Sequence, residues 1–419
     1  MRHQIPVERL GIRGVAMATT VENCVHCGLC LPACPTYQLL GQEMDSPRGR
    51  IMLMKTALEG SLSLTEVRPF IERCLGCLSC DTACPSTINY GELLLSFRAY
   101  AEENGARGNL PDLLVRRLAV ETMSHPARFR VAALLGTVLR PLRALLPSRL
   151  AAMLELLPPM LPAAIGLPEI VPAEGERRAR VALLTGCVQS VLAPGINRAS
   201  VHVLSRNGVE VLIPRGQGCC GALALHVGAA RKARELVRRN MRVFPNDVDA
   251  FITTAAGCGS GIREYGLLFG EEPDGSVASE FAAKAVDVHA FLDDLGLRTP
   301  LGQANSQRLA YHDACHLAHA QGITEAPRRL LQQVPGLELV PLDEVEMCCG
   351  SAGTYNIEQA EIAGRLGSRK AAAVLRSGAA GLVSGNVGCI MQIGAHLRLA
   401  ESALPVFHTM EVLDRAYDA

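Results

Sequence analysis

The chain has no net charge: 41 Lys and Arg are matched by 41 Asp and Glu. That excludes a global field for nucleic acid or an anionic surface, so partner choice has to be local. An uninterrupted apolar run is also missing. A spanning helix needs roughly 20 apolar residues, yet the most apolar region, 131–171, is broken by Arg140, Arg143 and Arg149 and by Pro141, Pro147, Pro158, Pro159, Pro162 and Pro168. Short surface helices and linker are expected there, and the Leu-rich, Arg-flecked pattern suits a membrane surface, a partner subunit or the core. The opening MRHQIPVERLGIRG lacks an apolar h-region, so no secretory signal is expected. Nucleotide loops are scarce as well. GCGSG, with Gly257, Gly259 and Gly261, lacks the full G-x-G-x-x-G spacing and an acidic ribose partner, and no P-loop or flavin fingerprint occurs elsewhere. Hydride chemistry is therefore expected on another chain.

What the sequence does have is cysteine, 16 of them in 419 residues with 49% hydrophobic content. A chain of this length folds as two to four domains without covalent staples, so a disulfide scaffold is not expected. Four zones are legible. Residues 1–108 hold two tight cysteine runs joined by helical pattern such as PRGRIMLMKTALEG, where Gly60 suits a C-terminal cap. Residues 109–178 are a Pro-interrupted connector. Residues 179–300 and 301–419 are an internal repeat: VALLTGC matches LAYHDAC, GQGCCG matches VEMCCG, and AFITTAAGC matches GLVSGNVGC, with cysteines 128, 129 and 131 residues apart. Each unit reads strand, Cys, helix, strand, CCG, helix, strand, Cys, the alternation of a small parallel α/β domain. The expected class is α+β multidomain, a mostly helical N-terminal domain followed by two α/β units whose loops gather cysteines at one sheet edge.

The first zone carries the strongest chemical signal. Cys24, Cys27, Cys30 and Cys34 with Pro35, and Cys74, Cys77, Cys80 and Cys84 with Pro85, each spell C-x2-C-x2-C-x3-C-P. Three thiolates at that spacing wrap one face of a cubane, and the fourth ligates the other cube. Cys24, Cys27, Cys30 and Cys84 are thus expected on one [4Fe-4S] cluster, and Cys74, Cys77, Cys80 and Cys34 on a second. Zinc is the competing reading, but it does not explain the even triple spacing with a C-P ending, occurring twice. His26 is expected beside a cluster rather than on it.

The repeated cysteines are a weaker signal. Cys187, Cys219, Cys220 and Cys258, and Cys315, Cys348, Cys349 and Cys389, are candidate further metal or redox sites. Iron-sulfur, zinc helped by His312, His316 or His319, a metal-free thiol pair, and plain buried packing all stay open.

Together, CVHCGLCLPACPTYQLLGQEMDSPRGRI, RCLGCLSCDTACPS, GCCG, CCGSAGTYN and GNVGC resemble the iron-sulfur subunits of bacterial glycolate oxidase (glycolate dehydrogenase) over nearly the whole chain. The iron-sulfur subunits of anaerobic glycerol-3-phosphate dehydrogenase, D-lactate oxidation and heterodisulfide reductase share the layout and are the alternatives. The resemblance implies a dicluster ferredoxin-type domain and two CCG domains. It also implies an electron-transfer subunit with no catalytic residue of its own. FAD would sit on partner subunits that oxidise glycolate to glyoxylate, and D-lactate to pyruvate, and a quinone or other acceptor would receive the electrons. The location implied is cytoplasmic, or peripheral on the cytoplasmic face of the inner membrane. One departure matters: heterodisulfide reductase units end in C-x2-C, whereas Gly261 and Gln392 stand at those last positions here, so five-thiolate clusters and disulfide-reducing activity are not expected.

Overall fold

The computed structural model describes residues 4–105, 110–270, 272–298, 302 and 307–418. The boundaries expected after residues 108 and 300 fall outside them.

The first zone is helical, with no strand among its described residues: α1 (Gly14–Asn23), α2 (Pro35–Leu40), α3 (Pro47–Leu58), α4 (Leu64–Glu72), α5 (Ser79–Thr82) and α6 (Tyr90–Glu103). Local sequence sets these limits. The Ser46 hydroxyl accepts from Gly49 N with Pro47 in the first turn, Ser63 and Glu66 form a reciprocal capping box on α4, and Asn89 caps α6. Gly60 follows α3 at φ 80°, the left-handed position expected of it. Met17, Ile51, Met54, Val67, Leu93 and Phe97 close a core beneath the two cysteine loops.

In the connector, prolines start helices more than they break them. Pro126 opens α8 (Pro126–Leu139), Pro141 sits in the first turn of the 3-10 helix Arg140–Leu145, and Pro147 immediately precedes α9 (Ser148–Leu156). With α7 (Leu110–Met123), these helices lie against the repeated units.

Those units carry two sheets. The first orders β1 (Ile170–Val171), β3 (Val209–Leu212), β2 (Ala179–Leu184), β4 (Ala250–Thr253) and β5 (Ala285–Asp287); only the β1 pairing is antiparallel. The second orders β7 (Leu337–Val340), β6 (Gln307–His312), β8 (Gly381–Ser384) and β9 (Val406–His408), all parallel. Register repeats too: Val181 pairs with Val211 and Ala250 as Leu309 pairs with Leu339 and Gly381. Short apolar runs buried on both faces suit parallel strands covered by helices. One apolar core joins the units, with Val181 and Ile252 of the first packed in the same cluster as Leu330, Met410 and Leu413 of the second.

Candidate metal centres

The two cysteine runs of the helical domain share an unusual backbone. Cys24 ends α1 and Cys74 follows α4; after each, the second and fourth residues adopt positive φ, His26 at 54° and Gly28 at 88°, Gly76 at 65° and Leu78 at 61°. Non-glycine residues pay a steric cost there, and such strain persists only where the surroundings impose it. The effect is to turn the backbone sharply at two points in each loop.

Cys24, Cys27, Cys30 and Cys84 line one cavity with Arg48, Ile88 and Tyr90, and Cys80 of the second run reaches its edge. The fourth cysteine of the second run is therefore beside the first three of the first run. Cys34 has moved the other way: it is close enough to Cys77 and Cys80 to raise both thiols electrostatically. The two groups differ in depth. Cys27 is exposed and Cys24, Cys30 and Cys84 are half-buried, whereas Cys34, Cys74, Cys77 and Cys80 are buried. Burial, joined by the neighbouring thiols and for Cys80 by Asp81, pushes the Cys77 and Cys80 thiols well above their ordinary range, so an anionic set here requires a bound cationic partner. Every cysteine is free of disulfides. The donor set and its burial fit thiolate-ligated iron.

Arg50 was not foreseen from sequence. It is 1% exposed, and its guanidinium reaches Cys34 Sγ at 3.9 Å, Thr36 Oγ1 at 3.0 Å, Phe70 O at 2.8 Å and Asp45 Oδ1 at 3.3 Å. Burial opposes its charge, and Cys74, Tyr90, Cys34 and Asp45 together outweigh that and hold it protonated. Arg73 also donates to Asp45 at 2.8 Å. A fixed cation beside the deeper cage offsets negative charge there. The sequence signal was Arg50 following Pro47 in the stretch that carried the resemblance, but nothing in its spacing announced burial.

The deeper cage touches both repeated units. His316 Nε2 donates to Gly76 O at 2.9 Å, Tyr355 Oη donates to Arg73 O at 2.8 Å, and Arg98 bridges Cys74 O at 2.7 Å and His226 O at 3.0 Å. Cys77 and Cys348 pack in one cluster with Leu75 and Leu366.

In the first repeated unit Cys187 Sγ donates to Cys219 Sγ at 3.4 Å, and this shared proton holds Cys219 low and Cys187 high. Cys220 and Cys258 continue the chain of contacts. The second unit repeats it: Cys315 to Cys348, Cys348 to Cys349, Cys349 to Cys389. Gly221 and Gly350, at φ 85° and 87°, turn the backbone after each cysteine pair. Among the described residues, His312, Cys349 and Cys389 are a buried trio whose donor atoms all lie within 4.8 Å of one another. His312 Nδ1 donates to Val345 O at 3.1 Å, which leaves Nε2 with its lone pair as the metal-competent atom. Of the three histidines weighed from sequence, only His312 is in this group; His316 is bound to Gly76 and His319 Nδ1 to Thr82 Oγ1 at 2.9 Å.

The missing final cysteines have structural reasons. A Cβ at Gly261 would stand 2.3 Å from Ala222 Cβ. The Gln392 side chain accepts from Asn356 at 2.8 Å and donates to Ala363 O at 3.0 Å, stitching helices together.

Comparison with known proteins agrees with this architecture. Residues 20–88 match the family model of a 4Fe-4S dicluster domain, and residues 181–263 and 309–394 each match that of a cysteine-rich domain. The chain is 35% identical over 391 residues to the probable glycolate oxidase iron-sulfur subunit of Bacillus subtilis, covering 88% of each protein. It is 33% identical over 424 residues to the glycolate oxidase iron-sulfur subunit of Escherichia coli, covering all of both. It is also 31% identical to lactate utilization protein A of Geobacillus kaustophilus, over 56% of this chain and 98% of that one. With a full-length match, a dicluster domain and a duplicated cysteine-rich domain in the same order, the chain belongs to the family of glycolate oxidase iron-sulfur subunits.

Proposed function

We propose that this chain carries electrons from flavoprotein subunits that oxidise glycolate, and D-lactate, to a quinone or other acceptor. Bound [4Fe-4S] clusters supply one-electron carriage, which a two-electron flavin needs in order to discharge singly. The chain's own residues hold and separate them: Cys24, Cys27, Cys30 and Cys84 for the outer cluster, Cys74, Cys77, Cys80 and Cys34 for the inner, with the domains divided at residues 108, 178 and 300. The single observation that carries this reading is the exchange of the fourth cysteines, Cys84 lining the cavity of the first run and Cys34 lying beside Cys77 and Cys80. No hydride-binding cofactor site is invoked on this chain, and FAD belongs to the partner.

A metal in the second repeated unit is part of the proposal, held by His312, Cys349 and Cys389 with Cys315 and Cys348 at hand; mixed nitrogen and sulfur donors suit zinc. Cys187, Cys219, Cys220 and Cys258 are assigned a thiol role without metal.

The test is anaerobic. Purified protein should contain about eight irons with matching acid-labile sulfide, and glycolate should bleach the brown chromophore only when the flavoprotein subunits are present. Bleaching by glycolate with this chain alone, or a colourless protein with zinc in the N-terminal cages, would sink the reading.

A further inference from the structure

The connector presents an amphipathic helix the wrong way round. Helix α8 buries small residues, Ala133 and Gly136, and Gly136 packs so closely that a Cβ there would come within 2.7 Å of Leu157. Its large aliphatic side chains point outward: Val131 is 60% exposed, Leu134 47%, Leu135 60% and Val138 75%. The 3-10 helix that follows continues them with Leu142 at 52% and Leu145 at 82%. Spacings of three, four and seven residues place the four of α8 along one side, and Leu142 and Leu145, three apart, share one side of the 3-10 turn, where a surface helix of a soluble protein carries polar groups. A contiguous apolar patch of this kind marks a surface that something covers.

The chemistry of the rod's rim says what covers it. Between Glu121 and Glu155 there is no carboxylate, while Arg128, Arg130, Arg140, Arg143 and Arg149 all fall in that interval of a chain with zero formal charge. The side chains of Arg128 and Arg143 are 62% and 49% exposed and pair only loosely with the flanking Glu121 and Glu155, at 3.6 Å and 4.0 Å, which leaves the rim with an excess of positive charge. Arg130 and Arg140 pin the rod by donating to Pro162 O at 3.0 Å and Pro158 O at 3.1 Å. Protein interfaces of ordinary kind bring aromatic anchors and about one hydrogen bond per 100–200 Å². From residue 131 to 145 there is no aromatic and no side-chain amide, and the one hydroxyl, Thr137, is already used on Leu134 O at 2.7 Å. Aliphatic side chains rimmed by arginine, with nothing else to offer, match acyl chains beneath anionic phosphates. Among the described residues no helix is long and apolar enough to cross a membrane; the 14 residues of α8, about 21 Å long, suit lying in the plane.

We propose that α8 and the Arg140–Leu145 turn are the docking surface of this chain for an anionic phospholipid bilayer. The inference does not depend on the substrate assigned above. The test is flotation of the anaerobic full-length protein with phosphatidylcholine vesicles, with and without phosphatidylglycerol. The protein should partition onto the anionic vesicles at least about tenfold better than onto the neutral ones at low salt, and the preference should shrink as salt rises. Leu142→Glu with Leu145→Glu, exposed positions that leave iron content and helicity unchanged, should cut binding about tenfold or more. Arg128→Gln with Arg143→Gln should lose most of the preference for anionic lipid while keeping residual binding to both. Failure of the wild type to float with either vesicle overturns the proposal, as does equal flotation of the leucine variant. So does a leucine variant that loses the flavoprotein subunits, or a self-association seen in sedimentation, while the wild type ignores lipid: the stripe would then be a protein interface.

Discussion

The two repeated units share the order and register of four parallel strands, yet their thiols look out on different surroundings. Where β6 of the second unit ends in His312, β2 of the first ends in Leu184, which packs in the apolar cluster of Cys187, Cys219 and Cys220. Where the second unit places Lys370 on the helix behind its cysteine pair, the first places Asn240, whose side chain accepts from Gly218 N at 2.8 Å and donates to Cys219 O at 3.0 Å. Lys370 is buried and reaches the carbonyls of Glu344 and Val345 instead. One unit thus has an imidazole and a buried amine, whose pKa burial lowers, beside its sulfurs, and the other has a leucine side chain and an amide. Duplication preserved the scaffold, and a few substitutions separated the chemistry of the sites, because strand-end loops can change without disturbing the strands.

The sharpest test of that difference is metal content. His312→Leu, which copies the first unit, should remove the non-iron metal from the purified protein, a loss of at least about a hundredfold in affinity. Cys219→Ser with Cys220→Ser should leave metal content unchanged. Elemental analysis reads both. Equal metal loss from the two variants would erase the proposed asymmetry, and no loss from His312→Leu would leave that residue a structural histidine.

A smaller effect separates the turns. Gly221 and Gly350 share a left-handed backbone, but an added Cβ would meet Ala233 O at 3.2 Å in the first unit and Ala363 O at 2.7 Å in the second. Gly221→Ala should cost about 1–2 kcal/mol for the backbone conformation alone. Gly350→Ala should cost about 3 kcal/mol or more, since the backbone carbonyl of a packed helix has to give way as well. Urea midpoints of the two variants, measured anaerobically, give the ordering. A reversed order would mean that the second unit is the more plastic of the two.

Much of this architecture was legible because its signals are periodic. The cysteine spacing, the threefold anchors of the repeat and the alternation of strand and helix each recur, so a chance reading of one copy is checked by the other. The exchange proposed for Cys34 and Cys84 rests on ligand reach. Sequence could not show which of His312, His316 and His319 faces the thiols: all three lie within eight residues in YHDACHLAHA, and the end of β6 decides it by directing His312 inward before the helix Cys315–Gln321 turns the others toward the N-terminal domain. Arg50 was hidden because a buried guanidinium depends on partners, here Asp45 and Phe70, that only folding brings near. The prolines of the connector do divide it into short helices and linker as expected, but sequence could not say which of them also open a helix, since Pro at a first helical turn and Pro as a breaker look alike without knowing where the helix starts.

A further predicted contrast is in pH dependence, and it comes from one pair of equivalent positions. Each unit's last strand ends in a residue that caps the next helix: Asp287 accepts from His289 N at 2.9 Å, and His408 Nδ1 accepts from Met410 N at 3.1 Å. The cap on the second unit works only while the imidazole is neutral, because Nε2 already donates to Thr254 O at 2.9 Å and Nδ1 must keep its lone pair. Burial, with His289 nearby, lowers the His408 pKa to about 3. A histidine depressed in the folded state stabilises it fully above the unfolded value near 6.5, and that contribution is lost as pH falls below it, by about 2 kcal/mol between pH 7 and pH 5. Glu411, which accepts from His408 N at 2.9 Å and whose carboxyl burial raises, works in the opposite sense. The His408→Asn variant isolates the histidine: an asparagine cap does not titrate, so the variant should be less stable than the wild type at pH 7 and lose about 2 kcal/mol less on going to pH 5. Hydrogen exchange in the helix Thr409–Tyr417, compared with the helix Val288–Leu295 behind Asp287, would localise the change to the second unit. Parallel acid loosening in both helices would mean that the shared core between the units, rather than this cap, sets their response to acid.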